Sequence, residues 1–250
     1  MANKNLVILQ ARVSSTRLPG KVLAMINGQP MIFWQIQRIK EAKSIDELIV
    51  ATSTDQSDDA LVKFLELNGV LVHRGPIDDV YERFMQVIER FTDSQTIVRL
   101  TADCPFTMPE LIDEMVNKFD SSDIDYLSNA LEPTFPDGLD IEIVGRAALI
   151  KLGDYPLSIS EREHVTLGLR NRPSEFKIEN FSQDSDLSHL RWTVDYKGDL
   201  NFARDIYAEF RGQEARFNYG DLLKILEAKP ELKNEVSGSL RNVALKEIDE

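Results

Sequence analysis

The chain has 250 residues, 42% of them hydrophobic, which is enough to bury a sizeable core, and we predict one domain over residues 1–250. Its 29 Lys and Arg against 42 Asp and Glu give a formal net charge of −13, which argues against binding to nucleic acid polymers because these require an extended basic surface. No apolar run approaches the roughly 18 residues of a membrane span and no secretory signal is visible, while the single cysteine, Cys104, excludes an intramolecular disulfide and fits a cytoplasmic location.

Apolar runs alternate with helical patterns through the first half of the chain. The predicted strands cover residues 5–9, 47–52, 70–73 and 96–100, and the predicted helices cover residues 30–36, 58–65 and 78–91. Gly69 is expected to end the second of these helices. Strands that alternate with helices of this length are typical of βαβ units, so we expect an α/β fold with a mostly parallel sheet.

The pattern changes after about residue 125. Strands are predicted over residues 125–128, 139–144, 176–181 and 190–195, and helices near 161–170 and from 199 to 210. Asp199 is expected to cap the last of these helices. The polar tail from about Glu235 is expected to fray.

A basic loop directly follows the first predicted strand and carries Arg12, Arg17 and Lys21. Ligands bind outside the carboxyl ends of parallel strands, so these cations are expected to converge on a ligand crevice. Arg offers planar, forked donors to phosphate oxygens and Lys a compact charge, which together suit a polyphosphate. The loop matches neither a Walker A motif nor a dinucleotide-binding fingerprint. A solvated surface loop is the alternative interpretation.

The loop pattern A-R-x-x-S-x-R-L-P-x-K resembles that of the CMP-sugar synthetases, the cytidylyltransferases that activate acidic sugars, and most closely their spore-coat polysaccharide branch. The resemblance implies a mostly parallel Rossmann-like nucleotidyltransferase sheet flanked by helices. It divides the chain into a nucleotide-binding core (about 1–120), a small substrate and dimerisation lobe (about 125–190), and a C-terminal metal strand with helices (190–235). It also implies that Arg12 and Lys21 are catalytic and that the nucleotide is bound by Ala11, Arg12, Ser14, Arg17, Lys21 and Asp103.

Asp103 follows the strand that ends at Leu100, so its carboxylate is expected at the same crevice as the basic loop. Carboxylate oxygens are suitable ligands for Mg²⁺, although an Asp here could equally cap the helix predicted near Pro109. The family resemblance, which includes a D-x-P element at this place, favours the metal. The resemblance also pairs Asp103 with a second magnesium ligand, Asp195, predicted at the end of the strand 190–195.

Polar residues of the middle segment are candidates for substrate binding. Asp140 and Glu142 lie two apart on a predicted strand and therefore share one face. The spore-coat-like branch carries similar P-D-G-x-D-x-E and E-R-E-H-V-T sequences, and this implies that Asp140, Glu142 and His164 bind substrate. A solvated strand face and a structural histidine are the alternatives. The segment around His164 lacks the H-E-x-x-H zinc signature, so we propose no zinc.

The chain departs from the resembled pattern at two places. Gln10 stands where these enzymes often have Pro, and Asp78-Asp79 stands where an Asp-Arg pair is found. Arg74, after the third predicted strand, is a candidate substitute for that missing arginine in nucleotide binding.

The function implied by the resemblance is transfer of CMP from CTP to a sugar, expected to be an acidic keto sugar, with release of pyrophosphate, for synthesis of surface polysaccharide or glycoconjugate. Preference for CTP, the Mg²⁺ cofactor and a homodimer built largely on residues 125–180 come from the resemblance alone. The alternatives are a phosphosugar nucleotidyltransferase, and a glycosyltransferase or nucleotide-binding module on a related fold. Asp123 and Asp125 match the D-x-D spacing of glycosyltransferases.

Overall fold

The computed structural model describes residues 4–232. Its strands are β1 (Lys4–Gln10), β2 (Met25–Ile26), β3 (Gln29–Pro30), β4 (Glu47–Ser53), β5 (Leu71–Gly75), β6 (Ser94–Thr101), β7 (Tyr126–Ser128), β8 (Glu142–Gly145) and β9 (Ile178–Asn180). Its helices are α1 (Met31–Ile39), α2 (Asp59–Leu67), α3 (Val80–Arg90), α4 (Pro109–Asp120), α5 (Arg146–Leu152), α6 (Ile159–Glu163), α7 (Leu167–Arg170), α8 (Lys197–Glu209) and α9 (Tyr219–Ala228).

The main sheet has seven strands in the order β5-β4-β1-β6-β8-β7-β9. Strands β5, β4, β1 and β6 are parallel to one another, β8 is antiparallel to both β6 and β7, and β9 is parallel to β7. The predicted fold class, a mostly parallel sheet flanked by helices, is therefore confirmed. The antiparallel β8 reverses the strand direction and begins the part of the sheet formed by the predicted lobe, about residues 125–190.

Helices cover both faces of this sheet, which explains why β1 is an unbroken apolar run. Val7 and Leu9 point into one core, while Leu6 and Ile8 point into the core on the opposite face, and all four are completely buried. The alternation of side chains along a strand produces this division. Because β1, β4 and β6 are parallel, their carboxyl ends lie at the same edge of this sheet.

The basic loop leaves β1 at this edge and is closed by backbone hydrogen bonds. The carbonyl of Val13 accepts from the N–H of Ser15 at 2.8 Å and of Gly20 at 3.0 Å. Gly20 has φ of 75°, a conformation that favours glycine. A short hairpin, β2-β3, follows with Asn27 and Gly28 at its turn, both at positive φ. The sequence analysis missed this hairpin.

The predicted strand 190–195 is wrong. In the structure this segment is irregular, and Arg191 forms an isolated parallel β-bridge with Asp137. Two backbone donors, from Trp192 and Thr193, bind one acceptor, the carbonyl of Asp137. Gly138 permits this close approach, since a Cβ there would lie 2.3 Å from the Thr193 nitrogen. Asp195 therefore does not end a strand, and its position depends on tertiary contacts.

Smaller differences concern the lobe and the C-terminal part. The helix predicted near 161–170 is two short helices, α6 and α7, and the strand predicted over 139–144 begins only at Glu142. Helices α5 and α9 were not predicted. Asp199 lies at the third position of α8, where its carboxylate accepts from the N–H groups of Asp195 and Tyr196. The predicted fraying from Glu235 lies outside the described residues.

Candidate active site

Two adjoining cavities open at the carboxyl edge of the sheet. The first, which we call the loop cavity, has a volume of about 480 Å³ and lies against the basic loop, in the size range of small-molecule sites. The second, the lobe cavity, has a volume of about 220 Å³ and lies between β6 and the lobe. The residues that line both cavities are Arg17, Arg99, Thr101, Asp103 and His164. Ligands in the two cavities would therefore meet at this shared wall.

The charges of the two cavities differ. The charged residues that line the loop cavity are Arg12, Arg17, Lys21, Arg83, Arg99, Asp103 and Glu163. Five cations against two acids make this cavity suitable for a polyanion. The charged residues that line the lobe cavity are Arg17, Arg99, Arg170, Arg191, Asp103, Asp137, Asp140, Glu142 and Asp195. Its balanced charges suit a ligand that is held by many hydrogen bonds.

Lys21 connects the two predicted metal ligands. Its ammonium lies 3.1 Å from Asp103 Oδ2, 2.9 Å from Asp195 Oδ1 and 2.9 Å from the carbonyl of Val194. Burial opposes ionisation of Asp103, but the charge of Lys21 and the hydrogen bond from Thr101 outweigh it and lower the pKa of Asp103 to about 2. Although burial opposes its charge, the same two carboxylates raise the pKa of Lys21. Asp103 and Lys21 therefore form a charged pair at neutral pH.

The two carboxylates are suitable for one divalent cation. A single ammonium contacts an oxygen of each, so they converge closely enough for one small ion to touch both, and carboxylate oxygens are suitable ligands for Mg²⁺. No cluster of three or more His, Cys, Asp or Glu side chains that could hold a metal occurs within residues 4–232. Such an ion would take its remaining ligands from substrate phosphates and water, as Mg²⁺ commonly does. Lys21 would have to leave the carboxylates.

Arg191 positions Asp195, and the sequence analysis missed it. Its guanidinium lies 2.8 Å from both Asp137 and Asp195 and 3.3 Å from Asp199. All four side chains are nearly buried, so the network is largely shielded from solvent. Arg17 contacts Asp195 at 2.7 Å as well. This network holds the irregular segment in place, where a strand had been predicted.

Glu142 is the buried partner of Arg99. It forms an ion pair with Arg99 and accepts hydrogen bonds from the hydroxyls of Tyr126 and Thr166. Burial opposes its ionisation, but the charge of Arg99 and the hydroxyl donors lower the pKa of Glu142. Arg99 also donates to Gln10 Oε1 at 3.1 Å. Gln10, where the resembled pattern often has Pro, therefore helps orient a cation that lines both cavities.

The structure brings most of the predicted site residues together. Ala11 is buried in the wall of the loop cavity, and Asp140 lines the lobe cavity. His164 lines both, burial lowers its pKa, and its buried Nε2 finds no hydrogen-bond partner among the described residues. Ser14 is exposed and lines neither cavity. Cys104 is buried, and burial raises its thiol pKa, in keeping with a packing role.

Arg74 lies away from both cavities. Its guanidinium donates to the carbonyls of Ser53 and Asp55 at 2.9 Å and pairs with Asp59 at 2.8 Å. These contacts hold the turn after β4, so the structure does not bring Arg74 to the predicted nucleotide site. Arg83, in the first turn of α3, lines the loop cavity instead.

The D-x-D residues also lie elsewhere. Asp123 is exposed and pairs with Lys177, while Asp125 accepts from the N–H of Lys177. Neither lines a cavity at the sheet edge. Four cations that line the cavities were not predicted from the sequence: Arg83, Arg99, Arg170 and Arg191. The available signal for Arg99 was a charge inside an otherwise apolar strand.

Comparisons with known proteins agree with this geometry. Residues 6–220 match the protein family described as Cytidylyltransferase. The spore coat polysaccharide biosynthesis protein SpsF of Bacillus subtilis is 34% identical, over 93% of this chain and 98% of SpsF. The 3-deoxy-manno-octulosonate cytidylyltransferase of Fusobacterium nucleatum is 34% identical over 46% of each chain.

A solved structure extends the similarity to three dimensions. A cytidylyltransferase from Leptospira borgpetersenii superposes with a TM-score of 0.87 and 29% identity, covering 96% of this chain and all of that one. The family match spans the basic loop, both carboxylates that Lys21 connects and the residues of both cavities. The chain therefore belongs to the cytidylyltransferase family.

Proposed function

We propose that this protein transfers CMP from CTP to a hydroxyl of a sugar and releases pyrophosphate, in the synthesis of a surface polysaccharide or glycoconjugate. The observation that carries the proposal is the pair of cavities at one sheet edge, of which one is rich in cations and the other polar, with Asp103 in their common wall. A triphosphate and an acceptor could bind side by side there. The names of the relatives supply the identities of CTP and of the polysaccharide.

The residues of the loop cavity would bind the triphosphate. Arg12, Arg17 and Lys21 would contact the phosphates, with Arg83 and Arg99 completing the cationic wall. The acceptor hydroxyl attacks the α-phosphorus from the lobe cavity and gives up its proton to water. A new oxygen–phosphorus bond forms, and the bond from the α-phosphorus to the bridging oxygen breaks. The electron pair leaves with pyrophosphate, whose developing charge the basic loop neutralises. Positioning and electrostatic stabilisation supply the rate enhancement.

Asp103 and Asp195 would hold Mg²⁺ when the nucleotide binds, with Arg17 and Arg191 fixing the orientation of Asp195. The ion would polarise phosphate oxygens and neutralise their charge. Lys21, released from the two carboxylates, would then be free to contact the phosphates. The two carboxylates would thus face a cation both before and after the nucleotide enters, first Lys21 and then Mg²⁺.

The acceptor is proposed to be an acidic keto sugar. Support comes from the name of the Fusobacterium relative and from Arg170, which adds a cation to the lobe cavity. The other arginines of that cavity, Arg17, Arg99 and Arg191, already pair with carboxylates. Arg170 is therefore the candidate partner for the acceptor's carboxylate, while Asp140 and His164 are candidates for its hydroxyls.

The test is pyrophosphate release with a panel of nucleoside triphosphates and sugars, with Mg²⁺ present. We expect release with CTP and an acidic sugar and formation of a CMP-sugar. A diphosphate-linked product, formed only from a sugar phosphate, would instead indicate a phosphosugar nucleotidyltransferase. No release with any combination would reject nucleotidyl transfer and leave a binding module or glycosyltransferase.

We further propose a homodimer that works in the cytoplasm. Residues 125–180 of the lobe, the range proposed for the subunit contact, carry the exposed apolar side chains Ile150 and Ile159. The buried, unpaired Cys104 is compatible with a reducing compartment. No helix within the described part of the chain could cross a membrane. Sedimentation at the mass of one 28.5 kDa chain at micromolar concentration would reject the dimer.

A further inference from the structure

A fully buried carboxylate outside the reacting groups, that of Asp58, lies behind the basic loop. Its Oδ1 accepts from the N–H of Val13 at 2.7 Å. Its Oδ2 accepts from the Thr52 hydroxyl at 2.8 Å and from both the N–H, at 3.0 Å, and the hydroxyl of Ser53. Although Asp58 immediately precedes α2, its side chain does not cap that helix. The sequence analysis had assigned it only to a helix start.

The four hydrogen bonds connect two neighbouring parts of the sheet edge. Thr52 and Ser53 end β4, and Val13 belongs to the basic loop that leaves the adjacent strand β1. Oδ1 of Asp58 accepts from the basic loop, and Oδ2 accepts from the end of β4. The carboxylate therefore joins the basic loop to a strand that is itself fixed in the core.

Val13 passes this restraint to the rest of the loop. Its own carbonyl accepts from the N–H groups of Ser15 and Gly20, which brings both halves of the loop together. Gly20 immediately precedes Lys21, whose ammonium reaches the two carboxylates of the candidate metal site. The chain of contacts thus runs from Asp58 through Val13 to the cations of the loop cavity.

The carboxylate is charged although it is buried. Burial opposes ionisation, but the hydrogen bonds from Ser53, Val13 and Thr52 outweigh it and lower the pKa of Asp58. Its charge also partly offsets the effect of burial on the pKa of Arg83, which lines the loop cavity. An ionised acceptor forms stronger hydrogen bonds than a neutral one, which suits a rigid anchor.

We propose that Asp58 is a positioning residue of the active site, which sets the conformation of the basic loop for the triphosphate; this role rests on the proposed function. It contacts neither cavity, so it acts through Val13. A preorganised loop binds phosphate without losing further conformational freedom, which strengthens binding. Without the Asp58 carboxylate, the loop would have to lose that freedom when the nucleotide binds.

The test compares Asp58→Asn with a matched control, Asp113→Asn. Asp113 is also a loop-holding carboxylate, which accepts from Lys43 N–H at 3.1 Å and from Ser44 N–H at 2.8 Å, and it lines neither cavity. In both sites each carboxylate oxygen faces a backbone N–H. Whichever way an Asn is turned, its NH₂ therefore opposes a donor. Asp58→Asn should lose more in melting temperature than Asp113→Asn, because Asp58 is completely buried and Asp113 is half-buried.

Only Asp58→Asn should affect the nucleotide. We expect kcat/KM to fall by about 10²-fold, as for a misplacement of about 1 Å, with weaker CTP binding by calorimetry, while Asp113→Asn keeps wild-type values. In ligand-free protein, hydrogen exchange of amides 12–21 should accelerate in Asp58→Asn alone. Equal effects of both variants on CTP binding and exchange would show that Asp58 is merely structural and overturn the proposal.

Two further outcomes separate the possible failures. If the wild type binds no CTP and releases no pyrophosphate, the proposed function fails, and hydrogen exchange in the ligand-free protein still decides whether Asp58 orders the loop. If Asp58→Asn does not fold, Thr52→Val retains the carboxylate and removes one of its donors. Thr52→Val should also accelerate hydrogen exchange of amides 12–21 and weaken CTP binding, but by less than Asp58→Asn. If a folded Thr52→Val protein shows unchanged exchange and CTP binding, the proposal is contradicted.

Discussion

Replacing Lys21 by Met tests the central arrangement of the candidate active site. Methionine has a similar shape but no charge, so it removes the ammonium that contacts Asp103, Asp195 and the carbonyl of Val194. The side chain of Lys21 is only 9% exposed. Unlike a solvated cation, it should therefore contribute to folding as well as to turnover.

The effect on stability follows from Asp103. Its pKa of about 2 in the folded protein lies below the ordinary value of about 3.9, a difference that corresponds to roughly 2.5 kcal/mol at neutral pH. Thr101 and Cys104 supply part of this by hydrogen bonding, and the Asp103 side chain is 28% exposed. We therefore assign roughly 1–2 kcal/mol to Lys21, or a fall in melting temperature of roughly 2–8 °C for a chain of this size.

The effect on turnover should be larger. Loss of one charge-stabilising donor commonly lowers kcat by about 10²- to 10³-fold, which is equivalent to about 2.7–4 kcal/mol. Arg12→Met is the matched control, because Arg12 lines the same cavity but is exposed. It should lose turnover in the same range with stability close to that of the wild type.

The coupling between Lys21 and Asp103 is tested by measuring the free energy of unfolding as the pH is lowered. A lowered carboxyl pKa contributes stability that is present above the unfolded pKa, about 3.9, and is lost as pH falls through the folded value, about 2. The stability difference between wild type and Lys21→Met, from urea unfolding, should thus be largest near pH 7 and shrink between about pH 4 and 2. A difference that is absent at pH 7, or constant across this range, would refute the coupling between Lys21 and Asp103.

Three further outcomes are expected. Asp103→Asn and Asp195→Asn should each lower turnover by about 10²- to 10³-fold. Each should also weaken Mg²⁺ binding, measured by calorimetry in the presence of CTP. Unchanged Mg²⁺ affinity in either variant would remove that residue from the metal site. Glu142→Ala should destabilise the protein by roughly 3–5 kcal/mol in urea unfolding, because Arg99, whose side chain is only 13% exposed, loses its partner. A loss below about 1 kcal/mol, typical of a surface pair, would contradict this. Arg74→Ala should leave KM for CTP unchanged and cost ~0–1 kcal/mol, whereas a clear increase in KM would return Arg74 to the nucleotide site.

Local sequence patterns determined the elements of the nucleotide-binding half. The apolar run of β1 and the alternation of strands with helices predicted the parallel sheet, because side-chain periodicity depends only on neighbouring residues. The rule that ligands bind at the carboxyl ends of such strands then led from Arg12, Lys21 and Asp103 to one crevice. For Asp195, the family resemblance identified the residue while the predicted strand around it was wrong.

Only the tertiary structure decided how these groups are held. Lys21 contacts carboxylates 82 and 174 positions away in the chain, and Asp58 binds a backbone N–H 45 positions before it. The periodicity of neighbouring residues does not predict contacts between positions so far apart in the chain. The segment around Asp195 has the composition of a strand, yet its N–H groups bind the Asp137 carbonyl and its position depends on Arg191. A buried charge is stable only where oppositely charged or hydrogen-bonding partners surround it. Here those partners come from distant segments, which lie close together only after the sheet has formed.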